Sequence, residues 1–105
     1  MATAVPTQVS PKEYKCKITV LKRTIEKDFV QQYKNGEGAL CSVVKEGQEF
    51  IVDSPWVKPE GFCDWAWADI RSTILLVCYG TFDVMIRCCT DGFKPVFFKL
   101  ERLDS

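Results

Sequence analysis

Apolar and polar side chains alternate most cleanly near the start of the chain. Tyr14, Cys16, Ile18 and Val20 fall on one side of an extended segment, and Lys15, Lys17, Thr19 and Arg23 on the other. That period of two defines a half-buried β-strand whose lysine face stays solvated. The period then changes. Thr24 can cap a helix reaching about Lys34, with Ile25, Phe29, Val30 and Tyr33 as its buried stripe. Asn35-Gly36 stops it, because either residue tolerates a left-handed C-cap. A short strand or turn is expected over 41–44. Glu46-Gly47 turns the chain into a second strand at 48–52, where Phe50 and Val52 face one way. Asp53-Ser54-Pro55 ends that strand, and Pro55 and Pro59 stiffen the connection that follows.

The longest helical pattern runs over 62–79, with Gly80 just past its end. Projected at a hundred degrees per residue, one face collects Cys63, Ala66, Trp67, Ile70, Ile74, Val77 and Cys78. The opposite face carries Trp65, Asp69, Ser72 and Leu76. The first face reads as core. The second is too apolar for plain solvent surface, so Trp65 and Leu76 are expected to cover a loop, a ligand or another subunit. Two β-rich runs, 84–90 and 96–103, flank Asp91-Gly92 and read as a hairpin.

The order β-α-β-α-β-β gives a compact single α+β domain, a mainly antiparallel sheet with two helices on one face. The domain is expected over 13–105. Residues 1–12 hold Pro6 and Pro11 and are expected to form a flexible tail.

Composition changes the picture mainly by exclusion. The 105 residues suffice for one core. Fourteen basic side chains balance fourteen acidic ones, which argues against nucleic-acid binding and leaves little charge repulsion to oppose a homodimer. The first residues show neither a basic nor an apolar leader region, and the longest apolar run, 74–78, is too short to span a bilayer. A cytoplasmic protein with no membrane association is therefore expected, its six cysteines free thiols. None of them forms a Cys-x-x-Cys pair. The sequence contains no histidine, which removes Cys-His and Ser-His nucleophile pairs, His-ligated zinc and imidazole acid–base chemistry.

Several blocks resemble a family of small, uncharacterised single-domain proteins of prokaryotes and some fungi. They are Lys17-Ile18-Thr19-Val20-Leu21-Lys22-Arg23, Cys41, Glu46-Gly47-Gln48-Glu49-Phe50-Ile51-Val52, and the stretch from Pro59 to Ile70 containing Gly61-Phe62-Cys63-Asp64-Trp65-Ala66-Trp67. Cys88-Cys89-Thr90-Asp91-Gly92, Pro95-Val96 and Phe98-Lys99-Leu100-Glu101-Arg102 complete the set. The resemblance implies one domain over most of 15–103 and carries no settled activity. This chain departs from the pattern at Ser42, where a proline is usual, at Lys94, where an arginine is usual, and in a shorter link from the second helix to Cys88.

Candidate chemistry gathers around the second helix. Cys63 stands at its mouth, where unpaired N–H groups and the helix dipole favour a thiolate, though Asp64 opposes it; the competing role is packing. Cys88 and Cys89 are adjacent on a strand, so only one of them can join Cys63 and Cys41 in a thiolate metal site. Trp65, Trp67 and Trp56 offer flat surfaces for a planar ligand, with Trp67 expected to belong to the core. Asp69 and Asp91 are the candidate general acid or base, set against an ion pair for Asp69 and turn chemistry for Asp91. Arg87 and Lys99 could hold a substrate carboxylate, or be solvated strand charges.

The leading expectation is a protein for a small organic molecule, a cofactor-independent enzyme of lyase, isomerase or cyclase type acting on a planar carboxylated or carbonyl compound. In it Trp65 holds the ligand, Asp69 moves the proton, Arg87 or Lys99 anchors the anion, and Cys63 is wall or nucleophile. A metal-binding or redox-sensing module on Cys41, Cys63 and Cys88 is the alternative. A non-enzymatic dimerisation domain built on Trp65 and Leu76 is the third.

Overall fold

A computed structural model describes residues 13–104; the expected tail at 1–12 lies outside them. The elements run β1 (Lys15–Arg23), α1 (Lys27–Tyr33), β2 (Glu49–Val52), α2 (Asp64–Cys78), β3 (Val84–Cys88) and β4 (Val96–Leu103). The four strands form one antiparallel sheet in the order β2-β1-β4-β3. The expected element order and antiparallel sheet are therefore present, with two helices of which only α2 packs on the sheet.

Alternation decides the faces. Cys16, Ile18 and Val20 of β1, Phe50 and Val52 of β2, and Val96, Phe98 and Leu100 of β4 are buried on one side. Ala66, Ile70, Ile74, Val77 and Cys78 of α2 close over them as one cluster. The other side is open. There Lys17 lies 3.6 Å from Glu49 and 3.8 Å from Glu101, and Lys99 lies 3.5 Å from Glu101. These pairs keep a half-apolar face in water.

One irregularity re-aims the end of β1. Val20 stands opposite Phe98, but Lys22 stands opposite Phe97 and Arg23 opposite Val96. Leu21 is the extra residue of a β-bulge, which shifts the alternation by one position. Lys22 consequently reaches the open face, its Nζ 5.0 Å from the Phe97 ring. Arg23, expected among the solvated lysines, instead follows the buried face. Its Nε donates to Glu46 Oε1 at 2.9 Å and its Nη1 to the Cys41 carbonyl at 2.9 Å.

Helix α2 begins two residues later than the pattern suggested, at Asp64 after an extended Cys63. Phe62 stays outside the helix and is buried in the core. Its ring meets Phe50 at 5.0 Å, Phe98 at 5.4 Å and Trp67 at 6.4 Å. The contact with Trp67 joins the residue before the cap to the fourth helical residue, a hydrophobic staple that fixes the entry angle. The helix ends on Gly80 at φ 85°, with Gly80 N–H bonded to the Val77 carbonyl and Thr81 N–H to that of Leu76. That pair of bonds is a Schellman cap.

Covering of the buried face falls to α2. Helix α1 is a single exposed excursion beyond β1 in which only Val30 is buried; Phe29 and Tyr33, expected in its buried stripe, are 50% and 67% exposed. Thr24 does not cap it. Its N–H and Oγ1 both donate to the Pro95 carbonyl, and Glu26 takes the cap position without a side-chain bond. Asn35 and Gly36, at φ 53° and 76°, do end the helix. Gly38 then passes so close to Val30 that a Cβ there would lie 2.8 Å from Val30 Cγ1.

The hairpin of β3 and β4 is wider than Asp91-Gly92 alone would make it. Pairing ends at Cys88 opposite Phe97, and residues 89–95 form a loop. Asp91 shapes that loop, its Oδ1 accepting the N–H groups of Phe93 at 3.0 Å and Lys94 at 3.2 Å.

Candidate functional site

Three separate segments meet at the start of α2. The irregular stretch after α1 brings Cys41 and Val43, the helix mouth brings Cys63, Trp65 and Ala66, and the loop after β3 brings Cys89, Asp91 and Lys94. Together these residues line one cavity of about 180 Å³. At the ~30 Å³ that a water occupies in the liquid, this is room for about six waters. The site suits a ligand well below drug size.

Each wall has a local cause. Cys63 is the residue before the first helical turn, at φ −67° and ψ 127°, and its sulfur makes no capping bond. Its neighbour Asp64 points away and pairs with Lys58 at 3.2 Å. Lys58 also donates to the Phe62 carbonyl, tying the incoming chain to the helix mouth. The backbone of Cys41 is held by the Arg23 guanidinium that the bulge has turned toward it. Glu46, the second partner of Arg23, has its carboxyl held below the ordinary value by its own backbone N–H, then by that of Arg23 and by the guanidinium. Cys89 Sγ accepts the Val96 N–H at 3.4 Å.

A short chain of hydrogen bonds secures the remaining wall. Trp65 Nε1 donates to Thr90 Oγ1 at 2.8 Å. Thr90 Oγ1 in turn lies 3.0 and 3.1 Å from the Asp69 carboxylate oxygens, and Thr90 N–H donates to Asp69 Oδ2 at 2.7 Å. A hydroxyl has one proton to give, so the indole donates to it and it donates to the carboxylate. Helix α2 thereby grips the loop that carries Cys89, Asp91 and Lys94.

The structure sorts the sequence candidates. Cys41, Cys63, Trp65 and Asp91 line the cavity. Asp69 does not; its two oxygens are engaged by Thr90. Trp67 is half-buried against Phe62. Trp56 is 59% exposed, beneath the Arg71 guanidinium at 5.4 Å. Arg87 and Lys99 sit on opposite faces of the sheet. Arg87 stands opposite the buried Phe98 and donates Nε to Thr73 Oγ1 at 3.0 Å, whereas Lys99 points to the open face and Glu101. Cys88 is exposed opposite Phe97, so the adjacent Cys89 is the one that joins Cys41 and Cys63. Among the described residues no group of three His, Cys, Asp or Glu side chains is placed to hold a metal ion.

Lys94 and Thr90 carried no sequence signal as site residues. Lys94 is the cation of the cavity, and its side chain makes no ion pair among the described residues. A larger hollow, about 640 Å³, is an open groove along β2 lined by Glu49, Ile51, Asp53, Lys58 and Glu60 among others. It is lined by neither a thiol nor an indole. No helix of the described residues is long and apolar enough to cross a membrane. Compared with protein-family models, with characterised proteins and with solved structures, the chain matches none.

Proposed function

We propose that this domain binds a small carboxylated or carbonyl compound in the cavity at the mouth of α2 and acts on it without a cofactor. The observation that carries this reading is the convergence of Lys94, a cation without an ion pair among the described residues, with an indole, a carboxylate and thiols around one small cavity. Lys94 supplies a point charge for an anionic group. The face of Trp65 offers a planar compound a stacking surface. Asp91 spends Oδ1 on the loop backbone and leaves Oδ2 without a partner among the described residues. The proton-moving role expected of Asp69 therefore passes to Asp91, which lines the cavity. Cys63 is wall or nucleophile, with the positive end of α2 behind it.

Tryptophan fluorescence tests the reading. A panel of small keto acids, unsaturated acids and aromatic acids is titrated into the reduced protein, its Trp65→Phe variant and its Lys94→Gln variant. Quenching that needs Trp65, and affinity that falls about tenfold or more without Lys94, support it. Silence across the panel, with no protection of Cys63 from alkylation, overturns it.

A further inference from the structure

The six cysteines fall into three environments. Cys16 and Cys78 are fully buried in the core, and Cys88 is exposed on the open face of the sheet. Cys41, Cys63 and Cys89 are half-buried around a single cavity although they come from three distant segments. Core packing explains the first group and an edge strand the second. The third group packs against the core as well, but packing alone does not require three thiols from distant segments to border the same space of about 180 Å³.

We propose that this cavity is a reversible oxidation site, in which a small hydroperoxide oxidises Cys63 and a second cavity thiol, Cys41 or Cys89, closes a disulfide with it. Cys63 is the thiol attacked first. Its sulfur carries no capping bond at the N-terminus of a 15-residue helix. Charge that builds on the sulfur during attack sits at the positive end of the helix, while the competing charge of Asp64 is paired with Lys58. The partners are suited to resolve it. Cys41 belongs to a stretch without helix or strand between Gly36 and β2, so its Cα can move into disulfide spacing without breaking an element. Cys89 lies just beyond the last β3 pair, its sulfur steadied by the Val96 N–H.

The chemistry balances. The Cys63 sulfur takes the terminal peroxide oxygen, the O–O bond breaks, and the alcohol or water leaves with the thiol proton. The second thiol attacks the sulfenic sulfur, the S–S bond forms, and the hydroxyl departs as water. Two thiols are oxidised by two electrons and one peroxide is reduced by two; an external dithiol reverses the step. The disulfide would cross the space that Trp65 and Lys94 border, so oxidation would close the cavity. The proposal rests on the same cavity as the binding reading, yet the two fail separately, since binding is scored on reduced protein and oxidation needs no ligand.

The test treats the reduced full-length chain with equimolar hydrogen peroxide, alkylates it, and maps disulfides by peptide mass spectrometry without reductant. The expected result is one intramolecular bridge joining Cys63 to Cys41 or Cys89, reversed by dithiothreitol, with Cys16, Cys78 and Cys88 alkylated once the protein is denatured. Cys63→Ser is expected to slow thiol loss roughly tenfold or more. A protein that keeps all its thiols, stops at Cys63 sulfinic acid, or forms only intermolecular bridges through Cys88 overturns the proposal. Mapping the unsubstituted chain decides the matter even if Cys63→Ser folds poorly.

Discussion

Arg23 donates its Nη1 to the carbonyl oxygen of Cys41 at 2.9 Å, joining the end of the central strand β1 to the least regular wall of the cavity. The contact exists because the bulge at Leu21 has turned Arg23 onto the buried face. Arg23→Lys keeps the charge but loses the fork that serves Cys41 and Glu46 together. This variant is expected to alkylate Cys41 faster and to exchange the amides of 41–47 sooner. Hydrogen-exchange and thiol-labelling mass spectrometry would show both, and unchanged rates would remove Arg23 from the wall.

The same contact has a pH dependence. Glu46 has its carboxyl lowered from the ordinary 4.5, chiefly by backbone N–H groups and then by the Arg23 side chain. A depressed carboxyl stabilises the fold fully above its unfolded value and ceases to do so as pH falls through the folded one. Protection of the 41–47 amides, corrected for the intrinsic pH dependence of exchange, should therefore be steady above pH 4.5 and fall below it. Glu46→Gln should flatten that fall.

Thr90 links Trp65 to Asp69. Thr90→Val removes the hydroxyl at constant shape, leaving the indole N–H without an acceptor and the carboxylate short of one donor. A loss of about 1 kcal/mol is expected in urea unfolding, with a red-shifted Trp65 emission. Thr90→Ser restores the hydroxyl and should restore both. Equal effects from Val and Ser would mean that packing, not the bond, holds the loop.

Phe98 is fully buried where the Phe62 ring meets the sheet, 5.4 Å away. Phe98→Ala should cost about 3–5 kcal/mol, a large share of the ~5–15 kcal/mol that holds a domain of this kind together. Denaturant titration measures it directly. A loss under about 1 kcal/mol would mean that the core is not centred there.

Cys16 and Cys78 give the alkaline limit. Burial, then the nearness of Cys78, pushes the Cys16 thiol from 9.0 up to about 12. Burial, then the charge of Glu13, pushes Cys78 to about 11. Above pH 9 the unfolded chain sheds protons that the folded one retains, so stability is intact below pH 9 and declines as pH rises toward 12. The Cys16→Ala/Cys78→Ala double variant starts less stable because it carries cavities. Its stability should nonetheless change less between pH 9 and 11 than that of the parent.

The sheet and α2 were legible in the sequence because periodicity reports burial, and both elements bury one face. The limits also have physical causes. Nothing in Leu21 marks a bulge, since neither glycine nor proline is needed there, and so simple alternation puts Arg23 on the wrong face. Helix α1 has the right period but only Val30 finds a partner, which periodicity cannot reveal. Alternation required Cys88 and Cys89 to diverge, yet which of them turns inward depends on the β3–β4 register. That register likewise separates Arg87 from Lys99. Lys94 reaches the cavity only because Asp91 bends the loop around its own carboxylate, an effect with no spacing rule to betray it.

Cys88 and Cys89 are consecutive, yet one looks into bulk solvent and the other into a cavity with room for a handful of waters. The pair is a built-in calliper. The two thiols meet the same supply of reagent, but Cys88 stands exposed whereas Cys89 is half-buried with its sulfur held by the Val96 N–H. The ratio of their labelling by reagents of graded bulk therefore gauges the width of the cavity mouth, with no external standard. A ligand that settles inside would slow Cys89 and leave Cys88 as the unchanged reference.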